Sequence, residues 1–523
     1  MGYSIEEFCK LGLFAEHAID VGSRCTVCMI SSVKQAQKEG AGIDCISAGL
    51  SVSVVKNALY KVIRAHSPDD LGQHIVVQGG TFLNDAILRS FEMEIGRQVT
   101  RPAISGLMGA YGAALHAKEN CPKETKLIGL EELAHFEHTT KNVRCGLCSN
   151  HCNLTINLFP GNRRYISGNR CDRPTGREDR HNLPDLYAYK LKKLQSYHTK
   201  PGKLKVGLAM GLNMYELLPF WTALFEELGM ETVVSDMSSR EMYQKGQYSI
   251  PSDTVCYPAK LVHGHVENLL EKHVDGIFYP CMTYNIDEGK SDNHYNCPVV
   301  AYYPELLQAN MKKLSQTKFW MPYFELADPK RFLPEAVKFF TKEFSFVNRK
   351  MVHKACEKAY AALDAYYHSV REEGRKAIAY ADAHGLDIAV VVGRPYHIDP
   401  EINHGINQML QSYGLVVVSE DSVFGLADVP KVHVLNQWTY HSRMYGAANY
   451  VTKKKNAQLI QLVSFGCGID AITTDEIRSI VEGGGKIYTQ LKIDEINNLG
   501  AAKIRIRSML AAVEEGKQAD ERK

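Results

Sequence analysis

The sequence predicts an α/β protein in which two doubly wound, Rossmann-like domains follow a cysteine-rich knuckle. Two observations carry this. From Lys203 onward, short apolar runs alternate with stretches of helical periodicity, and strands that alternate with helices build parallel sheets. Ahead of them, residues 141–185 are rich in Cys, Arg, Asn and Gly and show little periodicity. The expected domains are 1–120, a linker and knuckle at 121–190, an α/β domain with a long helix at 191–378, and a second α/β domain at 379–523.

The elements follow in order. Leu50, Val54, Ala58, Leu59 and Val62 recur at helical spacing and predict a helix within Ser47–Ala65. His74-Ile75-Val76-Val77 reads as a short strand ending at Gln78-Gly79-Gly80. A helix should then start at Asn84 or Asp85, with Ile87, Leu88 and Phe91 on one face. The first α/β domain has candidate strands at Val206–Met210, Glu231–Val234, Ile277–Tyr279 and Val299–Tyr303, a helix at Tyr215–Leu228 and a long helix at Pro334–Ala377. The second has strands at Ile388–Val392, Leu415–Val418, Leu459–Val463 and Lys486–Leu491, with helices at Ile402–Tyr413, Asp475–Glu482 and Asn498–Ala512.

Composition narrows the function classes. Of 523 residues, 45% are hydrophobic and 23% charged, as in ordinary globular proteins. With 61 Lys plus Arg against 59 Asp plus Glu, the net charge of +2 gives no basic field for nucleic acid. No apolar run is long enough to span a bilayer. The start, Met-Gly-Tyr-Ser-Ile-Glu-Glu-Phe, lacks the basic and apolar regions of a secretory signal, so a reducing cytoplasm is expected. There, 14 Cys read as buried apolar residues, metal ligands or redox centres.

Spacing sorts them. Cys145, Cys148 and Cys152 form C-x2-C-x3-C, with Cys171 further on. Gly146 and Asn150 make a tight turn cheap. Four thiolates suit a tetrahedral zinc ion or an iron–sulfur cube, and the ligand set alone allows either. Cys256, Cys281, Cys297 and Cys467 are dispersed, each beside Pro or Gly or at a strand end. Loops at strand carboxyl ends could bring these four together, the alternative being separate core thiols. Cys25 and Cys28 form a lone C-x2-C; Cys9, Cys45, Cys121 and Cys356 lack any constellation and read as structural.

Other candidates lie at strand ends. Arg394, Tyr396 and His397 follow the strand Ile388–Val392, with His404 close behind. Such an Arg can hold a phosphate or carboxylate, and Tyr and His can move protons. Gly79 and Gly80 close a strand and open a helix, where backbone can approach a nucleotide. His263 and His265, two apart on a helix, face different sides and do not read as a metal pair. Asp20-Val21-Gly22-Ser23 superficially matches an actin-like phosphate loop, but no convincing strand precedes it.

Four segments together resemble a known family. Ser23-Arg24-Cys25-Thr26-Val27, Ser31-Ser32-Val33-Lys34-Gln35-Ala36, Val77-Gln78-Gly79-Gly80-Thr81 and Gly106-Leu107-Met108-Gly109-Ala110 resemble the later half of the 2-hydroxyacyl-CoA dehydratase activases, ATPases of the actin-like superfold. Val255-Cys256-Tyr257-Pro258-Ala259-Lys260, Gly393-Arg394-Pro395-Tyr396-His397 and Phe465-Gly466-Cys467-Gly468 are similar to the activase-related region fused to such ATPases, itself similar to the iron–sulfur subunits of the dehydratases.

The resemblance implies a partial actin-like ATPase lobe at 1–120 and ATP-coupled, low-potential electron transfer to or within a dehydratase or reductase. It implies a [4Fe–4S] or larger cluster, Cys25 as one of the cysteines of a cluster shared between two activase subunits, and Gly79 and Gly80 near adenosine. The N-terminal half of the ATPase has no counterpart, so ATP use is expected only if a partner supplies that lobe. The expected partners are that lobe or a dehydratase, in an oligomer, with neither nucleic acid nor membrane. Two other functions stay open: a zinc- or cluster-stabilised scaffold for a partner ATPase, and a reductase or dehydratase that holds an acyl-CoA with the Arg394–His404 loop.

Overall fold

In the computed structural model, residues 2–22, 26–63, 65, 67–121, 128–146, 152–169, 173–175, 183–252, 254–464, 467–493 and 499–521 are described. The chain divides into two units, Met1–Ala134 and His135–Lys523.

In the first unit, α1 (Ile5–Leu13) opens on a capping box: the Ser4 hydroxyl accepts from the Glu7 N–H at 3.2 Å, and the Glu7 carboxylate accepts from the Ser4 N–H at 2.9 Å. Next come α2 (Thr26–Lys38) and α3 (Ile43–Asn57), which runs on as a π-helical segment, Ala58–Ile63. The helix expected to Ala65 therefore loosens in its last turns. As the sequence suggests, α4 (Asp85–Ile95) is capped by Asn84, whose Oδ1 accepts from the Ala86 N–H at 2.9 Å. Then follow α5 (Met108–Glu119) and α6 (Leu130–Ala134).

The expected strand at 74–77 does not form; Val76 makes only an isolated bridge with Thr100. Val77 instead joins a core of Val55, Leu59, Phe91 and Ile95, which is helical on every other side. A β-branched run with no neighbouring strand cannot extend a ladder.

The second unit opens with an antiparallel sheet in the order β1 (Thr139–Arg144), β2 (Asn153–Phe159), β3 (Arg163–Ser167). Thr139 pairs with Leu158 and Thr155 with Ser167. The segment read as aperiodic thus carries strands. Leu154, Ile156 and Ile166 pack on one face, but the other face and the turns are polar enough to hide the alternation. After α7 (Leu186–Gln195), capped by Asp185, the α/β architecture begins.

The elements are β4 (Lys205–Leu208), α8 (Met214–Glu227), β5 (Glu231–Val234), α9 (Arg240–Gly246), α10 (Tyr257–Glu271), β6 (Gly276–Phe278), α11 (Pro298–Asn310) and β7 (Lys318–Trp320). Their sheet is wholly parallel in the order β5-β4-β6-β7, with Val206 opposite Thr232 and Gly276. Two long helices follow, α12 (Pro329–Glu343) and α13 (Arg349–Ala383).

The last part holds β8 (Ile388–Val392), α14 (Pro400–Asn403), α15 (Ile406–Ser412), β9 (Val416–Ser419), α16 (Thr439–Lys453), β10 (Ala457–Ser464), α17 (Gly468–Gly483), β11 (Tyr488–Ile493) and α18 (Gly500–Glu521). Its sheet is also parallel, β11-β10-β8-β9.

Three expectations change. Val299–Tyr303 lies within a helix. Cys297 caps it, Pro298 sits at its first turn, and the buried Val300, Ala301, Tyr303 and Leu307 follow helical spacing that the Val-Val pair disguised. The single long helix at 334–377 is two, broken where Asn348 accepts from the Met351 N–H at 3.0 Å to cap α13. The helix at 402–413 is likewise split, because His404 and Gly405 adopt φ of 54° and 83°.

Aromatic packing anchors the first parallel sheet. Trp221 lies 4.8 Å from both Phe220 and Phe278, ring centre to ring centre, and Phe278 lies 5.0 Å from Phe225. α9 and α10 meet at two glycines: a Cβ on Gly246 would lie 2.3 Å from the Gly264 nitrogen. This close approach fixes α10, the helix that starts at Cys256. Among the described residues, no helix is long and apolar enough to cross a membrane.

Phe278→Ala would remove the ring at the centre of this aromatic cluster. It should destabilise the chain by about 3–5 kcal/mol, read as a lower urea midpoint at unchanged slope.

Candidate functional site

The central strands of both parallel sheets point their carboxyl ends at a common region, the place where doubly wound sheets gather ligands. Three cysteines occupy it, each as the N-cap of a long helix: Cys256 before α10, Cys297 before α11 and Cys467 before α17. A helix start carries free N–H groups and partial positive charge, both favourable to a charged sulfur. The Val300 N–H donates to Cys297 Sγ at 3.3 Å, and the Ala259 N–H donates to the Cys256 sulfur. Cys467 Sγ accepts from Arg394 Nη2 at 3.0 Å.

Burial opposes ionisation. It pushes the Cys256 thiol up to about 12, with the Ala259 N–H and Arg394 opposing and Cys297 and Cys467 adding to the rise. Burial also raises Cys297, which Cys467 raises further and Arg394 lowers. The three sulfurs thus share one charge environment around one guanidinium.

Arg394 is only 4% exposed. It leaves β8 through Gly393, where any Cβ would lie 2.3 Å from His397 Nδ1, so the turn has room only for hydrogen. The guanidinium grips Asp470 with both arms, Nη2 to Oδ1 at 2.6 Å and Nη1 to Oδ2 at 3.2 Å. Its Nη2 also lies 3.4 Å from His441 Nε2. Burial alone would raise the Asp470 carboxyl, but Arg394 and His441 override it and hold Asp470 well below the usual carboxylate range.

The other predicted loop residues are also buried here. Tyr396 is buried beside Arg394 and all three sulfurs. His397 Nδ1 accepts from the Arg394 N–H at 3.1 Å, so the ring proton sits on Nε2, a buried atom with no acceptor among the described residues. Burial, assisted by Arg394, pushes His397 down to about 3, so the ring stays neutral. His404 is buried at the end of α14. Asp399 ties this loop to the first sheet: its Oδ2 accepts from the Tyr215 and Ser238 hydroxyls. Ser238 continues to His265 Nε2 at 2.9 Å, and His265 Nδ1 lies 2.8 Å from Ser235. His263 is held separately, by Ser249 and Tyr303.

Cys281 is fully buried, and Glu305 and Tyr323 engage it. Cys145 and Cys152 close the hairpin of β1 and β2, the Cys145 N–H donating to the Cys152 carbonyl at 2.8 Å. Cys25, Cys148 and Cys171 lie outside the described residues. Gly79, at φ 98°, caps the short helix Gly80–Leu83 in the first unit. Gly80 there lines a cavity of about 390 Å³ together with Cys9, Leu83 and Asn84.

Sequence reasoning missed Asp470, His441 and Tyr279. Asp470 stands three residues after Cys467, in the first turn of a helix, and that offset was its available signal. Tyr279 precedes Pro280-Cys281 and was read only as strand. It is 1% exposed, and its hydroxyl has no hydrogen-bond partner among the described residues.

Among the described residues, no three Cys, His, Asp or Glu side chains converge closely enough to hold a single metal ion. The donor set of Cys256, Cys297 and Cys467 suits a cluster better, since a cluster's ligands bind different irons and need not meet at a point.

Comparison with known proteins gives three results. Residues 205–423 match a family described as the CoA enzyme activase uncharacterised domain. Over 124 residues the chain is 30% identical to the 2-hydroxyisocaproyl-CoA dehydratase activator of Clostridioides difficile, covering 24% of this chain and 45% of that protein. Among solved structures, the activator of the 2-hydroxyisocaproyl-CoA dehydratase from Clostridium difficile with bound ADPNP shares 29% identity over 24% of this chain and 47% of that chain, at a TM-score of 0.20. The (R)-2-hydroxyglutaryl-CoA dehydratase component A of Acidaminococcus fermentans shares 24% over 22% and 44%, also at 0.20. The chain spans about half the length of the curated relative it matches.

Asp470→Asn would leave the Arg394 charge buried and unpaired, at a cost of about 3–5 kcal/mol, measurable by urea unfolding at pH 7. The buried histidines set a pH response. His263, His265 and His397 are pushed down to about 4, 3 and 3, so on acidification the unfolded chain takes up their protons first. Their contribution is complete above the ordinary histidine pKa of about 6.5 and is lost as pH falls toward these depressed values, at about 1.4 kcal/mol per pH unit for each. His397→Gln should make the fall in stability between pH 6.5 and pH 5 shallower, read by urea unfolding across that range.

Proposed function

Because the chain belongs to an acyl-CoA dehydratase activase-related family, we propose that it is an iron–sulfur component of a 2-hydroxyacyl-CoA dehydratase activating system. The observation that carries this reading is the convergence of three helix-capping thiols, Cys256, Cys297 and Cys467, around the buried Arg394.

These three residues would hold the cluster through their sulfurs. When bound, a [4Fe–4S] or larger cluster supplies one-electron chemistry at a potential set by charge, burial and hydrogen bonds. The protein's own groups prepare the site. Helix N–H groups and Arg394 Nη2 offset negative charge on the sulfurs, while burial keeps the Cys256 and Cys297 thiols protonated, so ligation there releases protons. Asp470 and His441 fix the guanidinium. Cys281, engaged with Tyr323 and Glu305, stands outside the ligand set proposed here.

Cys145 and Cys152, neighbours at the hairpin end, would join Cys148 and Cys171 in a second centre of iron–sulfur or zinc type. Gly79 and Gly80 of the first unit would approach adenosine, and Cys25 would join a cluster shared with a partner subunit. The partner fed with electrons would be a dehydratase.

Anaerobic reconstitution followed by iron and sulfide analysis tests the reading. Cys256→Ser, Cys297→Ser and Cys467→Ser should each lose the low-potential EPR signal of this centre and its iron, whereas Cys281→Ala should keep both. Equal iron in all four variants, or no iron in the parent chain, would contradict it.

A further inference from the structure

We propose that Arg394 sets the reduction potential of the centre through Cys467: its Nη2–H bond to that sulfur raises the potential, and the paired Asp470 moderates the rise. This deepens the cluster reading above and rests on it.

Arg394 is not free to face a substrate. It is 4% exposed, and Asp470 occupies both arms of its guanidinium, at 2.6 and 3.2 Å. An incoming phosphate or carboxylate would have to displace that buried carboxylate and leave it unpaired. The anion-holding role suggested by its place after β8 is therefore already filled from within the protein.

The contact with sulfur is a separate feature. Nη2 carries two hydrogens. One meets Asp470 Oδ1 at 2.6 Å; for the other, Cys467 Sγ at 3.0 Å is nearer than His441 Nε2 at 3.4 Å. The two-armed ion pair is complete without the sulfur. Donor and sulfur are fixed from both ends. Cys467 caps α17 and Asp470 lies in its first turn, so the helix that presents the sulfur also holds the guanidinium. On the other side, Gly393 has no room for a Cβ, and the Arg394 N–H is bonded to His397 Nδ1 at 3.1 Å.

A neutral thiol is a weak acceptor, whereas a metal-bound thiolate makes a charge-assisted bond. Reduction adds one negative charge to a cluster. A guanidinium at hydrogen-bond distance, in a buried site where screening is weak, stabilises the reduced form more than the oxidised form. Asp470 stays ionised beside it, and its negative charge opposes part of that effect. Arg394 touches no substrate atom; it is a positioning and tuning residue that acts through Cys467.

Redox titration of the anaerobically reconstituted full chain, followed by EPR, tests this. Arg394→Gln should move the midpoint potential to a more negative value, and Asp470→Asn should move it to a less negative one. A purely structural ion pair has no reason to give opposite signs. Any other pattern in variants with parental iron and sulfide, unchanged midpoints included, overturns the proposal. Where a single variant loses iron because a charge is left buried, the double variant Arg394→Gln, Asp470→Asn decides. It leaves no unpaired charge, and its midpoint should fall below the parental value, because the group on the sulfur is the one lost; an equal or higher midpoint overturns the proposal. A measurement on the parent chain needs no substitution. With 15N-arginine, the reduced centre should show nitrogen hyperfine coupling by electron–nuclear double resonance, and its absence overturns the proposal. A parent chain without iron would overturn the cluster reading itself, a separate outcome.

Discussion

The buried pair of Arg394 and Asp470 is the contact on which the site turns. Neither charge could remain in this interior alone, since each is about as buried as the hydrophobic core. Together they link the loop after β8 to the first turn of α17, and they leave one guanidinium N–H for Cys467. The same arginine lowers the cost of negative charge on Cys256 and Cys297. One ion pair thereby sets the geometry of the loop and the electrostatics of three sulfurs.

The two parallel sheets are held in register around this pair by further buried polar contacts. Asp399 from the second sheet accepts from Tyr215 and Ser238 of the first, and Tyr257, next to Cys256, donates to Glu401 at 3.0 Å. Arg443 on α16 bonds Glu216 on α8 and Glu288, while Lys190 meets Asp421 at 2.6 Å. Each link crosses long stretches of sequence, so the thiols are brought together by tertiary structure and not by local spacing. A site of this kind is rigid where buried polar groups are satisfied.

Most of the parallel strands were legible because they are apolar, often β-branched runs such as Ile388–Val392, whereas β7, the three residues Lys318–Trp320, carries no such run and was not. Cys256, Cys297, Cys467 and Arg394 were legible because Pro, Gly and strand ends mark loops. Val299–Tyr303 misled because local β propensity and a Cys-Pro helix start occupy the same residues, and the burial of Tyr303 and Leu307 decided for helix. Cys281 shared the Pro-adjacent signal of the others, yet Tyr323 and Glu305 claim it, a distinction that lies in packing alone. Asp470 offered only its place three residues after Cys467 as a signal, and His441 offered none, because its role is defined only by the arginine it holds. The antiparallel sheet at 139–167 was hidden by a polar outer face.

Iron-edge anomalous diffraction from crystals of the anaerobically reconstituted chain tests the central claim most directly. The account predicts an iron peak enclosed by the sulfurs of Cys256, Cys297 and Cys467, with Arg394 at its border. Iron bound through Cys281, iron confined to the Cys145 hairpin, or an iron-free pocket at these three helix starts would contradict it.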